Sequence, residues 1–264
     1  MTDGVADDLR YDEPSALAEL VASLPAPLLL CTDIDGTLSG ITAVPGEARL
    51  TTGAREALRA LVNAGIDVAA VSGRTLAELV RQFELPRTMH LIGSHGVEFE
   101  HNPPRTEEEG ELLERVDALL GEIAERHDGA VLERKPFGSA LHVRRCDEEV
   151  GAAALAEAGT AIEGVEGVRI LPGHRVFEVV VRAVTKVDAV AELRRRLDPA
   201  SMVFLGDDHS DELVFVSFAE AASPERRNLM GVKIGAGPSV AGHRLRSPED
   251  TVAFLEALVK LLAD

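Results

Sequence analysis

Positive charge is in short supply in this sequence. Against 45 aspartates and glutamates stand 27 lysines and arginines, a formal net charge of -18 over 264 residues, whereas a chain that grips nucleic-acid backbones displays a basic face. Nucleic acid is therefore not an expected partner, and an anionic ligand must meet a local cluster of cations. Cysteine is scarce too. Cys31 lies in an apolar run and Cys146 beside Arg145, which makes no disulfide framework and fits a reducing, cytoplasmic setting. No stretch approaches the roughly 18 uninterrupted apolar residues of a membrane span. The acidic opening "MTDGVADDLRYDEP" also has no apolar h-region, so neither membrane insertion nor secretion is expected. Low-complexity tracts and long-range repeats are missing. With 45% hydrophobic and 27% charged residues, the chain has the composition of a globular protein, long enough for one large domain or for a domain carrying an inserted one.

What is present is an alternation of strand and helix patterns. The helical segment "SALAELVASL" precedes the buried-strand run Leu28 to Cys31; the helix "TTGAREALRALVNAG", the strand "IDVAAVSGR", the helix "TLAELVRQF" and the strand "MHLIGSHG" follow. The rhythm resumes with "KVDAVAELRRRL", "SMVFLGDD", "SDELVFVSFAEA", "GVKIGAG" and "SPEDTVAFLEALVKLLA". Such alternation predicts an α/β fold with a doubly wound parallel sheet. Between the two stretches the pattern changes. The acidic "NPPRTEEEG" leads into the amphipathic "ELLERVDALLGEIAERH", then paired strands "AVLERK" and "SALHVRR", then "EEVGAAALAEAGTAI" and a second pair, "VRILP" and "RVFEVVVR". Two α-β-β units in succession predict an inserted α+β cap over residues 103–183, splitting the core into 1–102 and 184–264. Hinges are expected near 101–104 and 183–185.

In an open parallel sheet, ligands bind beyond the carboxyl ends of the strands. Three polar clusters are predicted there: Asp33 and Asp35, Ser72 and Arg74, and Asp207 with Asp208 and Asp211. Any one of these acids would usually be a helix or turn cap. As a set they are costly, because two carboxylates about 4 Å apart repel by roughly 4 kcal/mol at an effective dielectric of 20. A divalent cation removes that conflict, and all-oxygen ligation points to magnesium, which leaves room for a substrate phosphate. Lys186 supplies positive charge at a helix start capped by Thr185, where amides and dipole favour an anion.

"DIDGT", "VSGRT", Lys186 and "GDDHSDE" resemble the four motifs of the haloacid-dehalogenase superfamily of phosphohydrolases, over roughly residues 28 to 236. The resemblance implies that Asp33 is the nucleophile forming an aspartyl-phosphate and Asp35 the general acid and later base. It implies that Ser72 binds a phosphoryl oxygen and that Lys186 and magnesium offset charge. The implied metal ligands are the Asp33 side chain, the Asp35 carbonyl and Asp207, with Asp208 and Asp211 orienting them. Arg74, beside Ser72, is taken as a substrate-binding residue.

The reaction class leaves the alcohol open. Strand periodicity puts Glu133 and Lys135 on one face, His142 and Arg144 on one face, and the isolated acid Glu178 opposite Phe177 and Val179, so a single sheet can present all five. A solvated polar face would look similar, but alternating charges suit the hydroxyls of a neutral polyol. "GSHGVE", "LERK", "SALHVRR" and "GHRVFEVVVR" resemble the trehalose-6-phosphate phosphatases. The resemblance implies a sugar pocket at Ser94, His95, Gly96, Glu133, Lys135, His142, Arg144 and Glu178, under a lid that closes over the core. Val187 departs from the glycine that family usually has after the motif lysine. The expected partner is a small sugar phosphate, with a trehalose-phosphate synthase as a pathway neighbour and a monomer as the expected state. Three alternatives stay open: another disaccharide, pseudo-disaccharide or cyclitol phosphate as substrate, a phosphomutase, and a non-catalytic sugar-phosphate sensor.

Overall fold

The computed structural model describes residues 9–42, 44–99, 105–182, 184–221 and 228–263. The expected hinge positions 101–104 and 183 fall outside that set. The first helix, α1 (Pro14–Ala22), leads to β1 (Leu28–Thr32), α2 (Ala54–Asn63), β2 (Asp67–Val71), α3 (Leu76–Arg81) and β3 (His90–Ile92). After the α-β-β segments come α6 (Lys186–Leu197), β8 (Ser201–Gly206), α7 (His209–Glu220), β9 (Leu229–Ile234), β10 (His243–Leu245) and α8 (Pro248–Ala263). These strands form a six-stranded sheet in the order β10-β9-β8-β1-β2-β3, with every pairing parallel. The fold is the expected α/β, one strand wider than the sequence reading: β10 is three residues long, and only Leu245 in it is buried, so it carries no periodic signal.

Alternation along β1 explains the two helical layers. Leu28 and Leu30 join an apolar cluster with Leu17, Leu58, Leu61 and Leu255, while Leu29 and Cys31 join another with Val190, Leu193 and Phe215. Both faces are thus covered, as continuous apolar strands require. Burial pushes the Cys31 thiol well up, so it packs as a small apolar side chain. The chain runs outward from β1 through β2 and β3, then returns to β8 on the other side of β1. That reversal opens a crevice at the carboxyl ends of β1 and β8.

The intervening segments are α4 (Glu107–Arg126), β4 (Val131–Lys135), β5 (Gly138–His142), α5 (Glu148–Ile162), β6 (Arg169–Gly173) and β7 (Val176–Val180). They form a four-stranded antiparallel sheet, β4-β5-β7-β6, with α4 and α5 on one face through Val116, Leu120, Ala158, Leu141 and Val179. The acidic opening lies inside α4, not before it: Thr106 caps the helix in a box with Glu109, and three glutamates sit well at a positive helix end. Strand β5 ends at His142, so Arg144 lies past the strand and not on its alternating face.

Candidate active site

The motif "DIDGT" ends β1 as a tight loop. Gly36 has φ 80°, and a Cβ there would stand 2.0 Å from Asp207 Oδ2, so only glycine permits the close approach of the β1 and β8 loops. Thr37 Oγ1 donates to Asp207 Oδ1 at 3.3 Å. Carboxylate oxygens of Asp33, Asp207 and Asp211 all lie within 4.8 Å of one another. Both Asp211 oxygens are engaged: Oδ1 accepts from Lys186 Nζ at 2.7 Å, and Oδ2 accepts from the Asp207 and Asp208 amides at 2.9 and 3.1 Å. Asp208 caps α7, accepting from Ser210 and the Asp211 amide. For Asp208 the ordinary reading as a helix cap holds.

Asp33 is different. It is 4% exposed, and its Oδ1, 3.2 Å from Lys186 Nζ, receives no aligned hydrogen bond. Burial pushes its carboxyl up to about 7; Lys186 works against that, and Asp208, Asp207 and Asp35 add to it. Burial likewise raises Asp207 to about 7, with repulsion from Asp211 and Asp208 reinforcing it. A buried carboxylate oxygen without an aligned hydrogen bond, close to a second carboxylate raised by burial and repulsion, is the donor set a hard divalent cation takes.

Lys186 opens α6, fixed by the capping box of Thr185 and Asp188. Its side chain is 1% exposed, and although burial opposes the ammonium, Asp211 and Asp33 raise its pKa. Val187 packs its half-buried side chain against the Val190 and Phe215 cluster, leaving that capping box in place. Ser72 is buried, and its Oγ accepts from the Arg74 amide at 3.2 Å. Arg74 lines the same cavity. Its fork grips Asp35, with Nε to Oδ2 and Nη2 to Oδ1 both at 2.7 Å, and Nη1 reaches Glu78 at 3.2 Å. The guanidinium is turned onto the Asp35 carboxylate.

The antiparallel sheet faces this crevice across a cavity of about 530 Å³. Lys135 Nζ donates to Glu178 Oε1 at 2.7 Å and to the Gly73 carbonyl at 3.3 Å, spanning both sheets. Burial acts to raise the Glu178 carboxyl, yet Lys135 and His95 hold it down at about 2. His142 Nε2 lies 2.7 Å from Glu133 Oε2. Arg144, beyond its strand, still reaches the cavity and donates to the Thr42 carbonyl at 3.1 Å. The small residues of β5 make this possible: Ala140 pairs with both Glu133 and Glu178, and Gly138 lies opposite Lys135.

Ser94 and Gly96 are not among the cavity-lining residues. They form, with His95, a run of left-handed residues with φ of 48°, 57° and 111°. Two non-glycine residues in that region cost about 1–3 kcal/mol each. Ser94 Oγ donates to Glu98 Oε1 at 2.5 Å, and the turn delivers His95, whose Nε2 stands 3.6 Å from Glu178 Oε2. The sequence reading missed His174 and His209 on the cavity wall, which no pattern signalled, and Lys233, which did carry a signal as a lone lysine in the apolar "LMGVKI".

The profile of a family described as trehalose-phosphatase matches residues 31–249. The chain belongs to that family. It is 34% identical over 245 residues to an uncharacterized glycosyl hydrolase of Mycobacterium tuberculosis, covering 86% of this chain and 18% of that protein. This chain therefore spans less than a fifth of that relative. It is 28% identical to trehalose-phosphate phosphatase B of Arabidopsis thaliana, over 94% of this chain and 71% of the relative. The C-terminal domain of Candida albicans trehalose-6-phosphate phosphatase superposes with a TM-score of 0.79 at 21% identity, over 95% of this chain and 97% of that one, a likeness of fold. Among the described residues no helix is long and apolar enough to cross a membrane.

Proposed function

We propose that this chain is a divalent-metal-dependent phosphatase that hydrolyses trehalose 6-phosphate to trehalose and phosphate. Residues 103–183 act in it as a cap that closes the sugar against the core. The observation that carries the reading is Asp33: a buried carboxylate whose Oδ1 receives no aligned hydrogen bond, in an ion pair with a buried lysine and close to a second raised carboxylate, at the switch point of the sheet. Family membership supports the reaction class and the substrate.

Asp33 attacks phosphorus, and the bond from phosphorus to the sugar oxygen breaks as that oxygen takes a proton from Asp35. Water then attacks the aspartyl-phosphate, Asp35 accepts the water's proton, and phosphate leaves. Arg74 fixes the Asp35 carboxyl beside the nucleophile, Ser72 donates to a phosphoryl oxygen, and Lys186 balances charge on the transferring group. Asp33, Asp207 and the Asp35 carbonyl would hold magnesium, which as a Lewis acid draws charge from the phosphoryl oxygens. On the facing sheet Glu133, Lys135, His142, Arg144 and Glu178 offer the mixed donors and acceptors that disaccharide hydroxyls need.

The test is phosphate release from a panel of sugar and cyclitol phosphates, with and without chelator. Preference for trehalose 6-phosphate, lost on chelation, is expected. Equal rates on glucose 6-phosphate would remove the disaccharide; undiminished rates under chelator would remove the metal; an isomeric phosphate as product would indicate a mutase.

A further inference from the structure

Strand β9 is an interior strand between β8 and β10, and the apolar run there is broken by one charge. Lys233 is 6% exposed and pairs in register with Gly206, the residue before the acidic loop. A buried ammonium costs several kcal/mol unless it is compensated. Among the described residues Lys233 makes no ion pair; its Nζ donates to the backbone carbonyl of Asp207. The same residue's amide donates to Asp211 Oδ2. Asp207 is thus clamped at its N–H by an acid and at its carbonyl by a base, while Gly36 leaves its carboxylate the room beside Asp33. The loop of Asp207 has little other means of holding that direction, since the Thr37 contact to its carboxylate is long at 3.3 Å.

We propose that Lys233 is a positioning residue: by holding the Asp207 carbonyl it aims the Asp207 carboxylate at Asp33, so that the two converge on one divalent cation. The proposal rests on the metal-assisted reading of the crevice given above. Charge explains why a lysine is tolerated. The crevice gathers Asp33, Asp35, Asp207, Asp208 and Asp211 around Arg74, Lys186 and Lys233, so a further cation among them meets an excess of acids.

The sign of one measurement separates positioning from charge alone. A cation that acted only by its charge would, when removed, tighten the binding of a dication; a cation that aims a ligand would, when removed, loosen it. Lys233→Met is expected to weaken magnesium binding about tenfold or more, the usual cost of losing an outer support of a ligand, measured by titration calorimetry on the metal-free protein. Lys233→Gln keeps an N–H donor without the charge and should stay within about threefold of wild type; it serves also if the methionine variant does not fold. Binding equal to or tighter than wild type in Lys233→Met, or more than about threefold tighter in Lys233→Gln, as charge alone would give, overturns the proposal while leaving the metal site standing. A wild-type protein that binds no divalent cation overturns the underlying reading and this one with it.

Discussion

The two walls of the cavity handle charge in opposite ways. On the antiparallel sheet each acid has its own base, Glu178 with Lys135 and Glu133 with His142, and Arg182 closes on Glu109 with a bidentate fork. In the crevice of the parallel sheet acids face acids, and two of them are driven up to about 7 by burial and mutual repulsion. The first wall is satisfied as it stands and can trade its internal bonds for hydroxyls one at a time. The second holds opposed carboxylates, a conflict that protons or, on the reading proposed above, a divalent cation would relieve. On that reading recognition and reaction are divided between the two walls.

The contrast breaks most easily at Asp33. Asp33→Asn should lower kcat by at least about 10³-fold, as expected for loss of a nucleophile, and yet raise the metal-free melting temperature, because one of the opposed charges is gone. A fall in that temperature would mean the carboxylates are not in conflict. Asp35→Asn should cost about 10²–10⁴-fold in kcat with substrate still bound in calorimetry; turnover that survives would remove its role as acid and base. On the other wall, Lys135→Met should raise KM and also destabilise the protein by about 3 kcal/mol in denaturant unfolding, since Glu178 is left buried with only His95 beside it. One deletion stabilises and the other destabilises.

Acidity sharpens the same comparison. Asp33 and Asp207 hold their protons to about pH 7 in the fold but lose them near pH 4 when unfolded. The folded state therefore binds more protons between those values, and metal-free stability is fully present below about pH 4 and drains away as pH rises toward 7. Melting curves under chelator should show that decline, and magnesium should flatten it. Glu178, held down at about 2, runs the other way: its contribution is present above about pH 4 and lost only as pH falls toward 2. The smallest effect is expected at Val187, where Val187→Gly should cost about 0.5 kcal/mol of helix propensity and leave phosphate release within a few-fold.

Much of this was readable from residue order because local patterns carry it. A continuous apolar run as short as Leu28 to Cys31, closed by a polar loop, reads as a buried strand, and Thr185 with Asp188 announces a helix start that places Lys186. What escaped is non-local. No spacing tells that Arg74 will turn on Asp35, 39 residues away, or that Asp207 will press against Gly36. The start of α4 was obscured because three consecutive glutamates look like solvated loop until Thr106 is recognised as their cap. Ser94 and Gly96 carry a motif yet serve as the strained support for His95. Lys233 could have been seen by the reasoning that picked out Glu178, a single charge in an apolar strand.

The account stands or falls on whether the acidic crevice is built for a cation. Titration of the metal-free protein with magnesium at about pH 7.5, followed by calorimetry, should show one ion bound per chain, with binding lost in Asp207→Asn. No binding, or binding indifferent to that substitution, would contradict it.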